Sequence, residues 1–435
     1  PPAPPPRGGG GHWPPYMIRV AVSSAETPEV NRRQKGGHAV LSPQRRNLAG
    51  ACLAHLLHDG YTDQLYAVLP VWQSEFGLSY AGLAIVRALY FGTMGGLQVP
   101  VDRLTAPRLG PRMALAWSTA AAAGGYVLMA TSTGFAGLCV GLVVAGIGAS
   151  VQHPRGSLLV AQTYGSAARG PLGIYNFAGD LGKATFPAVV ALLLPVMAWR
   201  HVIGLMAAVG LAVAVALLAL VPRQPFTAAV ELRPVQQGRG GRGFGLLLAI
   251  GALDTAPRMG YLLFLPFLVH ARGGTEAMVG VSFALLFAGG ALGKAACGWL
   301  GQHLGVVWSV VVTEAATAAL MLATLALPLR PTLALLPLLG IVLNGTSSVL
   351  YGTVPELAPK GDAGRAFAVY YTAVIGAGAL APILYGTIAD HAGRTAGIAA
   401  SALTAAVIIP LVLGLRPALG RGSAGGANLE DGARA

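Results

Sequence analysis

Only 10% of the 435 residues are charged and 54% are hydrophobic, whereas an ordinary soluble domain carries about 25% charged residues. So little charge cannot cover a soluble surface of this size, and runs such as 134–151 and 202–221 approach or reach the ~20 apolar residues that cross a bilayer. The net charge of +13 would suit a nucleic-acid surface, but it is concentrated in the connections between apolar runs, and no nucleic-acid partner is expected.

In chain order, residues 1–46 open with "PPAPPPRGGGGHWPP", which is unable to bury a core and is expected to be a disordered extension. Met17 reads as a plausible true start, so residues 1–16 are set aside. Twelve membrane spans follow, near 47–70, 79–100, 111–131, 134–163, 170–194, 199–221, 244–270, 277–300, 306–327, 333–357, 366–389 and 398–416. The polar stretch 222–243 divides them into a first half (47–221) and a second half (244–416). The tail 417–435 is again polar and expected to be disordered. Seventeen Lys and Arg residues fall on the side of the termini and the linker, against four (Arg200, Arg272, Arg330 and Arg394) on the other. The positive-inside rule then places both termini in the cytoplasm. An excess of Arg over Lys, with abundant Ala, Gly and Pro, points to a GC-rich bacterial genome and hence to the cell (inner) membrane. Cys52, Cys139 and Cys297 are scattered through the spans without a CxxC pair and read as packing residues, so no metal site is expected.

The halves carry matching landmarks. Asp59 and Asp254, the "LG" at 109–110 and 304–305, and Pro187 and Pro382 are each 195 positions apart. A common offset suggests an internal duplication, as in transporters whose halves pack around a midplane site.

Ionisable residues inside spans are costly, roughly 2.5–3.5 kcal/mol each on insertion scales, and mark function. In "HLLHDGYTDQLY" (55–66), His55, Asp59 and Asp63 are spaced i, i+4, i+8 and share one helix face. Asp59 lies near mid-span, where a carboxyl can load and release a proton, and His55 one turn away is a candidate relay. His58 lies off that stripe and reads as a packing histidine. Asp63 and Arg87 are each about 10–12 Å from the outer boundary at ~1.5 Å per residue, so they can pair. Span 5 aligns Asn176, Asp180 and Lys183 on one face, with Asp180 and Lys183 also spaced for an intrahelical ion pair. Span 4 offers Gln152, His153 and Arg155 around Pro154, and span 7 offers Asp254, Arg258 and Tyr261. Asp59, His55, Asp63, Asp180 and Asp254 are thus the candidates for proton coupling. Arg87, Gln152, His153, Arg155, Asn176, Lys183, Arg258 and Tyr261 are candidates for a substrate cavity whose excess cations favour an anionic or zwitterionic compound. "AGDLGKAT" fails the phosphate-loop pattern at Phe177 and Ala184, so neither nucleotide nor other cofactor is expected.

The loop "VPVDRLTAPRLGPR" (99–112) resembles the G-x-x-x-D-R-x-G-R-R signature of the major facilitator superfamily, with Asp102, Arg103 and Arg112 in its conserved-charge positions and Val99 or Pro100 in place of its leading Gly. Within that superfamily, "HLLHD" (55–59), "PVWQSEFGLSYAGLA" (70–84), "GASVQHPRGSLLVA" (148–161), "VLYGTVPELAP" (349–359) and "YGTIADHAG" (385–393) are similar to the fosmidomycin-resistance group of efflux proteins. The resemblance implies an all-α membrane protein of twelve transmembrane helices in two pseudo-symmetric six-helix halves. It also implies proton-driven export of a small molecule by a monomer, and a conformational role for the 99–112 loop. An importing proton symporter for a small organic anion is the alternative on the same fold. A membrane enzyme is disfavoured because no HExxH, GxSxG or metal-spaced Cys/His cluster is present.

The topology is open to direct labelling. In a background lacking Cys52, Cys139 and Cys297, a cysteine at Gln237 should react only from the cytoplasm and one at Gly273 only from outside; the reverse pattern would invert the charge-based orientation.

Overall fold

The computed structural model describes residues 41–105, 108–223, 241–358 and 363–431. Residues 1–40 of the expected extension and 224–240 of the expected linker lie outside the described residues. What is described is helical, without a strand. The helices are α1 (Pro43–Phe76), α2 (Tyr80–Gly96), α3 (Gln98–Thr105), α4 (Pro111–Thr131), α5 (Phe135–Ala149), α6 (Gln152–Tyr164), α7 (Arg169–Leu193) and α8 (Trp199–Leu220) in the first half. The second half holds α9 (Arg242–His270), α10 (Glu276–Ala326), α11 (Leu329–Leu357), α12 (Ala363–Ala392) and α13 (Arg394–Asp431).

Three local features reconcile these helices with twelve crossings. Span 2 is α2 followed by α3; the interruption precedes Pro100, which lacks the amide that would bond the Gly96 carbonyl. Span 4 is α5 followed by α6, broken at Ser150–Val151 ahead of Pro154 for the same reason. The helix α10 contains two spans, because Gly305 adopts φ 73°, ψ 168° and turns the chain between them, a conformation that glycine alone accepts without strain. Gly305 is the second-half partner of Gly110, the residue that precedes α4. Among the described residues, eight stretches are long and apolar enough to cross a membrane. Dividing α10 and adding α1, α2 and α7 gives twelve. At the C-terminus α13 continues to Asp431, past residue 416, where a disordered tail is expected from composition. A helix already nucleated extends at one hydrogen bond per residue, and this offsets poor propensity.

The apolar core has three parts. The largest unites both halves, from Leu57, Tyr61, Tyr66 and Trp72 to Phe264, Phe283 and Tyr385, and lies toward the 77–79 and 271–275 turns. Toward the arginine-rich side it divides. One cluster, including Ala51, Leu115, Leu159 and Leu217, belongs to the first half alone, and another, including Leu247, Val310, Leu350 and Ile408, to the second alone. The halves are therefore packed together at one end and separated by a cleft at the other, and His55 and Asp59 lie where the shared core stops.

The closed end is clipped electrostatically. Asp390, near the end of α12, accepts hydrogen bonds from the Tyr80 and Ala81 amides at 2.7 and 3.0 Å, alongside the Ser79 side-chain cap on Gly82. A carboxylate at a helix start satisfies orphan amides and complements the helix dipole. Here the carboxylate comes from the opposite half.

Replacing Asp390 by Ala should destabilise the closed end by about 1 kcal/mol, the usual value of an N-cap. The measurement is thermal unfolding of purified protein together with labelling of a cysteine placed at Leu78, which should become faster.

Candidate functional site

A carboxylate flanked by two histidines and a lysine occupies the apex of the cleft. Asp59 on α1 is 6% exposed. Its Oδ2 lies 3.3 Å from His55 Nε2 and 3.2 Å from Lys183 Nζ, and its Oδ1 lies 3.5 Å from His153 Nε2. The sequence dictates this convergence in three ways. The i, i+4 spacing puts His55 beside Asp59. The Pro154 break starts α6 at Gln152 and delivers His153 to the same place. At Gly182, α7 crosses α1 so closely that a Cβ would collide with the Leu56 carbonyl, and the next residue, Lys183, reaches Asp59.

His55 has a defined tautomer. Its Nδ1 lies 2.8 Å from the Tyr175 carbonyl oxygen, which only accepts, so Nδ1 carries a hydrogen. The ring also stacks on Tyr175 at 4.1 Å. A hydrogen bond between His55 Nε2 and Asp59 then needs one proton, on the imidazole or on the carboxyl.

The network continues across the cleft. Lys183 is 3.9 Å from Asp180 one turn back on α7. Asp180 also receives Lys294 of α10, whose Nζ is 2.7 Å from both carboxylate oxygens. This inter-half pair is absent from a reading of local spacing, which offers Asp180 only Lys183. The side chains of His153, Lys183 and Lys294 are 29, 31 and 40% exposed, so the cleft admits solvent to the cationic groups while Asp59 stays covered.

The remaining candidates sort themselves by contact. Asp63 lies 3.9 Å from Arg87, whose guanidinium is held between the rings of Tyr66 and Phe91 at 4.2 and 4.7 Å. Arg87 is therefore embedded in aromatic packing and does not line an open cavity. His58 is fully buried, with Nε2 3.1 Å from the Thr119 hydroxyl. Gln152 donates to the Tyr175 hydroxyl at 3.3 Å. Asn176 is exposed on α7. Besides Arg87, two further cavity expectations need correction. Arg155 is not a cavity cation: its Nε donates to Asp102 Oδ1 at 2.5 Å, tying α6 to α3, so the loop carboxylate is held by an arginine outside the loop motif, while Arg103 is exposed and Arg112 half-buried. Tyr261 is completely buried in the core shared by the halves, because α9 turns it away from the cleft.

Asp254, the second-half counterpart of Asp59, makes a different contact. Its carboxyl hydrogen-bonds the Glu314 carboxyl of α10, near Arg258. Both acids are buried, and a hydrogen bond between two carboxyls needs a proton on one of them. Sequence spacing has no means of pairing Glu314 with Asp254, because the two acids lie on different helices.

Residues 51–238 match the model of the Major Facilitator Superfamily. Over this region the chain is similar to transporters of the major facilitator superfamily. It is 25% identical over 362 residues to the fosmidomycin resistance protein of Escherichia coli (strain K12), covering 79% of this chain and 86% of that one. Solved structures extend the likeness over both halves. A bacterial homologue of the human lysosomal transporter Spinster, in an inward-facing and occupied conformation, superposes with a TM-score of 0.70 at 15% identity, covering 87% of this chain and 98% of that one. A transporter of the POT family in complex with a thioalcohol-conjugated peptide gives 0.68 at 13% identity, covering 86 and 96%. These two establish the twelve-helix fold alone.

The Asp63–Arg87 contact yields a test. Arg87→Gln leaves a buried carboxylate without its counter-charge and should cost about 3–5 kcal/mol. Adding Asp63→Asn should recover part of that loss in unfolding measurements, with the remainder reflecting the two aromatic contacts.

Proposed function

We propose that this transporter is proton-coupled and exports a small compound bearing an anionic group. The observation that carries the reading is the His55–Asp59 pair at the apex of the cleft: the Tyr175 carbonyl fixes the imidazole so that one proton is needed between Nε2 and the carboxylate. That proton and Lys183 act on the same carboxylate. With the proton present, Lys183 is freer to turn to Asp180 or to an anion in the cleft. With it absent, Asp59 holds Lys183. Proton occupancy at Asp59 thereby changes the cationic face offered by Lys183 and Lys294, which bridges the halves through Asp180.

The direction of coupling follows from the cargo. A compound whose anionic end takes the lysines and whose hydrogen-bond donor takes Asp59 competes with the proton, which is exchange, and therefore export in a cell that keeps its interior less acidic. Similarity to a protein named for fosmidomycin resistance supports this choice. A plain organic anion would bind together with the proton, and the alternation of Lys183 between two carboxylates favours that symport as the second reading. Under either, the protein works as a monomer in the cell membrane with both termini cytoplasmic, and Asp254–Glu314 is the corresponding proton-holding pair of the second half.

The deciding measurement uses inside-out vesicles. Acidifying the lumen should drive accumulation of fosmidomycin or another small zwitterionic or anionic compound if transport is exchange, and should drive its loss if transport is symport. Asp59→Asn, which keeps size and hydrogen bonding without titrating, should abolish proton-driven accumulation while retaining substrate exchange. Wild-type pH-dependent transport by this variant would falsify the role of Asp59.

A further inference from the structure

The groups around Asp59 also satisfy the requirements of a transition-metal site. A ring nitrogen of His55, a ring nitrogen of His153 and an Asp59 oxygen all lie within 4.8 Å of one another. Zinc bound to nitrogen and oxygen at about 2.0–2.1 Å spaces tetrahedral ligands by about 3.3 Å. His55 Nε2 lies 3.3 Å from Asp59 Oδ2 and His153 Nε2 lies 3.5 Å from Asp59 Oδ1, so whichever oxygen binds the metal has one edge already near that length, and the other edges have to close from within 4.8 Å. Two imidazoles, one carboxylate and a position open to water are the donor set of a three-ligand zinc site.

The surroundings supply what a bare ligand triad lacks. A metal-ligating histidine almost always donates its other ring N–H to a carbonyl, carboxylate or water, which fixes the ring and the free nitrogen. His55 does this through Nδ1 and the Tyr175 carbonyl, with the ring held against the Tyr175 side chain. The ring of His153 stands edge-on to His55 at 5.1 Å between centroids, and its 29% exposure opens the site to the cleft. One group opposes the metal: the Lys183 ammonium, 3.2 Å from Asp59 Oδ2. It has an alternative partner in Asp180 at 3.9 Å.

We propose that His55, Asp59 and His153 form a binding site for a borderline divalent transition metal of the Zn²⁺ class, entered from the cleft, which displaces Lys183 toward Asp180. A metal there occupies the carboxylate assigned above to the proton, so Zn²⁺ inhibits transport. The inhibition rests on that assignment; the binding does not.

The test separates the two. Co²⁺ titrated into the purified, detergent-solubilised chain should produce the visible absorption bands of a four-coordinate site, saturating at one equivalent, and Zn²⁺ should remove them. His153→Ala and Asp59→Asn should each weaken Co²⁺ binding at least tenfold. Lys183→Met should tighten it, because the competing ammonium is gone; a surface or purification-tag site would respond to none of the three. Absence of four-coordinate bands, or unchanged affinity in His153→Ala and Asp59→Asn, would overturn the site. If binding follows this pattern while Zn²⁺ leaves transport unaltered, the metal site stands and the coupling role of Asp59 fails.

Discussion

A carboxylate in the middle of a membrane helix has to bring its counter-charges with it, and the arrangement of the first half follows from satisfying Asp59. Lipid offers no solvation, and an unpaired ion in a low-dielectric interior is far more expensive than one in water. The chain meets this demand from three helices. A histidine comes from the same face of α1, a second histidine comes from the proline-broken start of α6, and a lysine comes from α7 at the point of closest helix contact. Each contribution depends on a backbone feature that a purely apolar span does not need. The i, i+4 register, the interruption ahead of Pro154 and the missing side chain at Gly182 are all parts of one solution to a solvation problem.

The three spans left out of the apolar set among the described residues, α1, α2 and α7, carry Asp59, Arg87 and Asp180 with Lys183. The helix α2 falls short by its length of 17 residues, whereas polar load lowers the apolarity of α1 and α7, and those two departures mark the site. This explains why the positions of the site helices could be read from hydropathy together with charge. The twelve crossings, the division into halves and the share of α1 in the site follow from apolar length and helical period, which are local properties. His153 was visible as a polar residue in a span, but its convergence with His55 on Asp59 was not, because that depends on where a broken helix points. Lys294 on Asp180 and Glu314 on Asp254 are of the same kind: each joins helices distant in sequence, and composition carries no information about such pairs. Arg155 and Tyr261 were misassigned for the converse reason. A polar or aromatic group on a span can face a neighbouring helix as readily as a cavity, and period alone does not say which.

The two halves share topology but not chemistry. The first holds the histidines and the chain of alternating charges around Asp59 and Asp180. The second contributes Lys294 to that chain and otherwise keeps its own acids, Asp254 and Glu314, in contact with each other near Arg258. Asp59 and Asp254, 195 positions apart, stand in different surroundings. Their difference gives the molecule a polarity across the cleft, with cations presented from both walls and the buried carboxylate on one.

The division of the apolar core has a mechanical consequence. Each half keeps a private core on the arginine-rich side, and the two halves share a core only at the other end. Rigid rocking of one half against the other would leave both private cores intact and exchange partners only within the shared core. Packing changes in a private core thus raise or lower the stability of every conformation alike, and drop out of the balance between inward- and outward-open forms. Changes in the shared core do not cancel in this way. The shared core is the largest of the three, so most of the buried hydrophobic mass bears on that balance, and only the two smaller clusters are neutral to it.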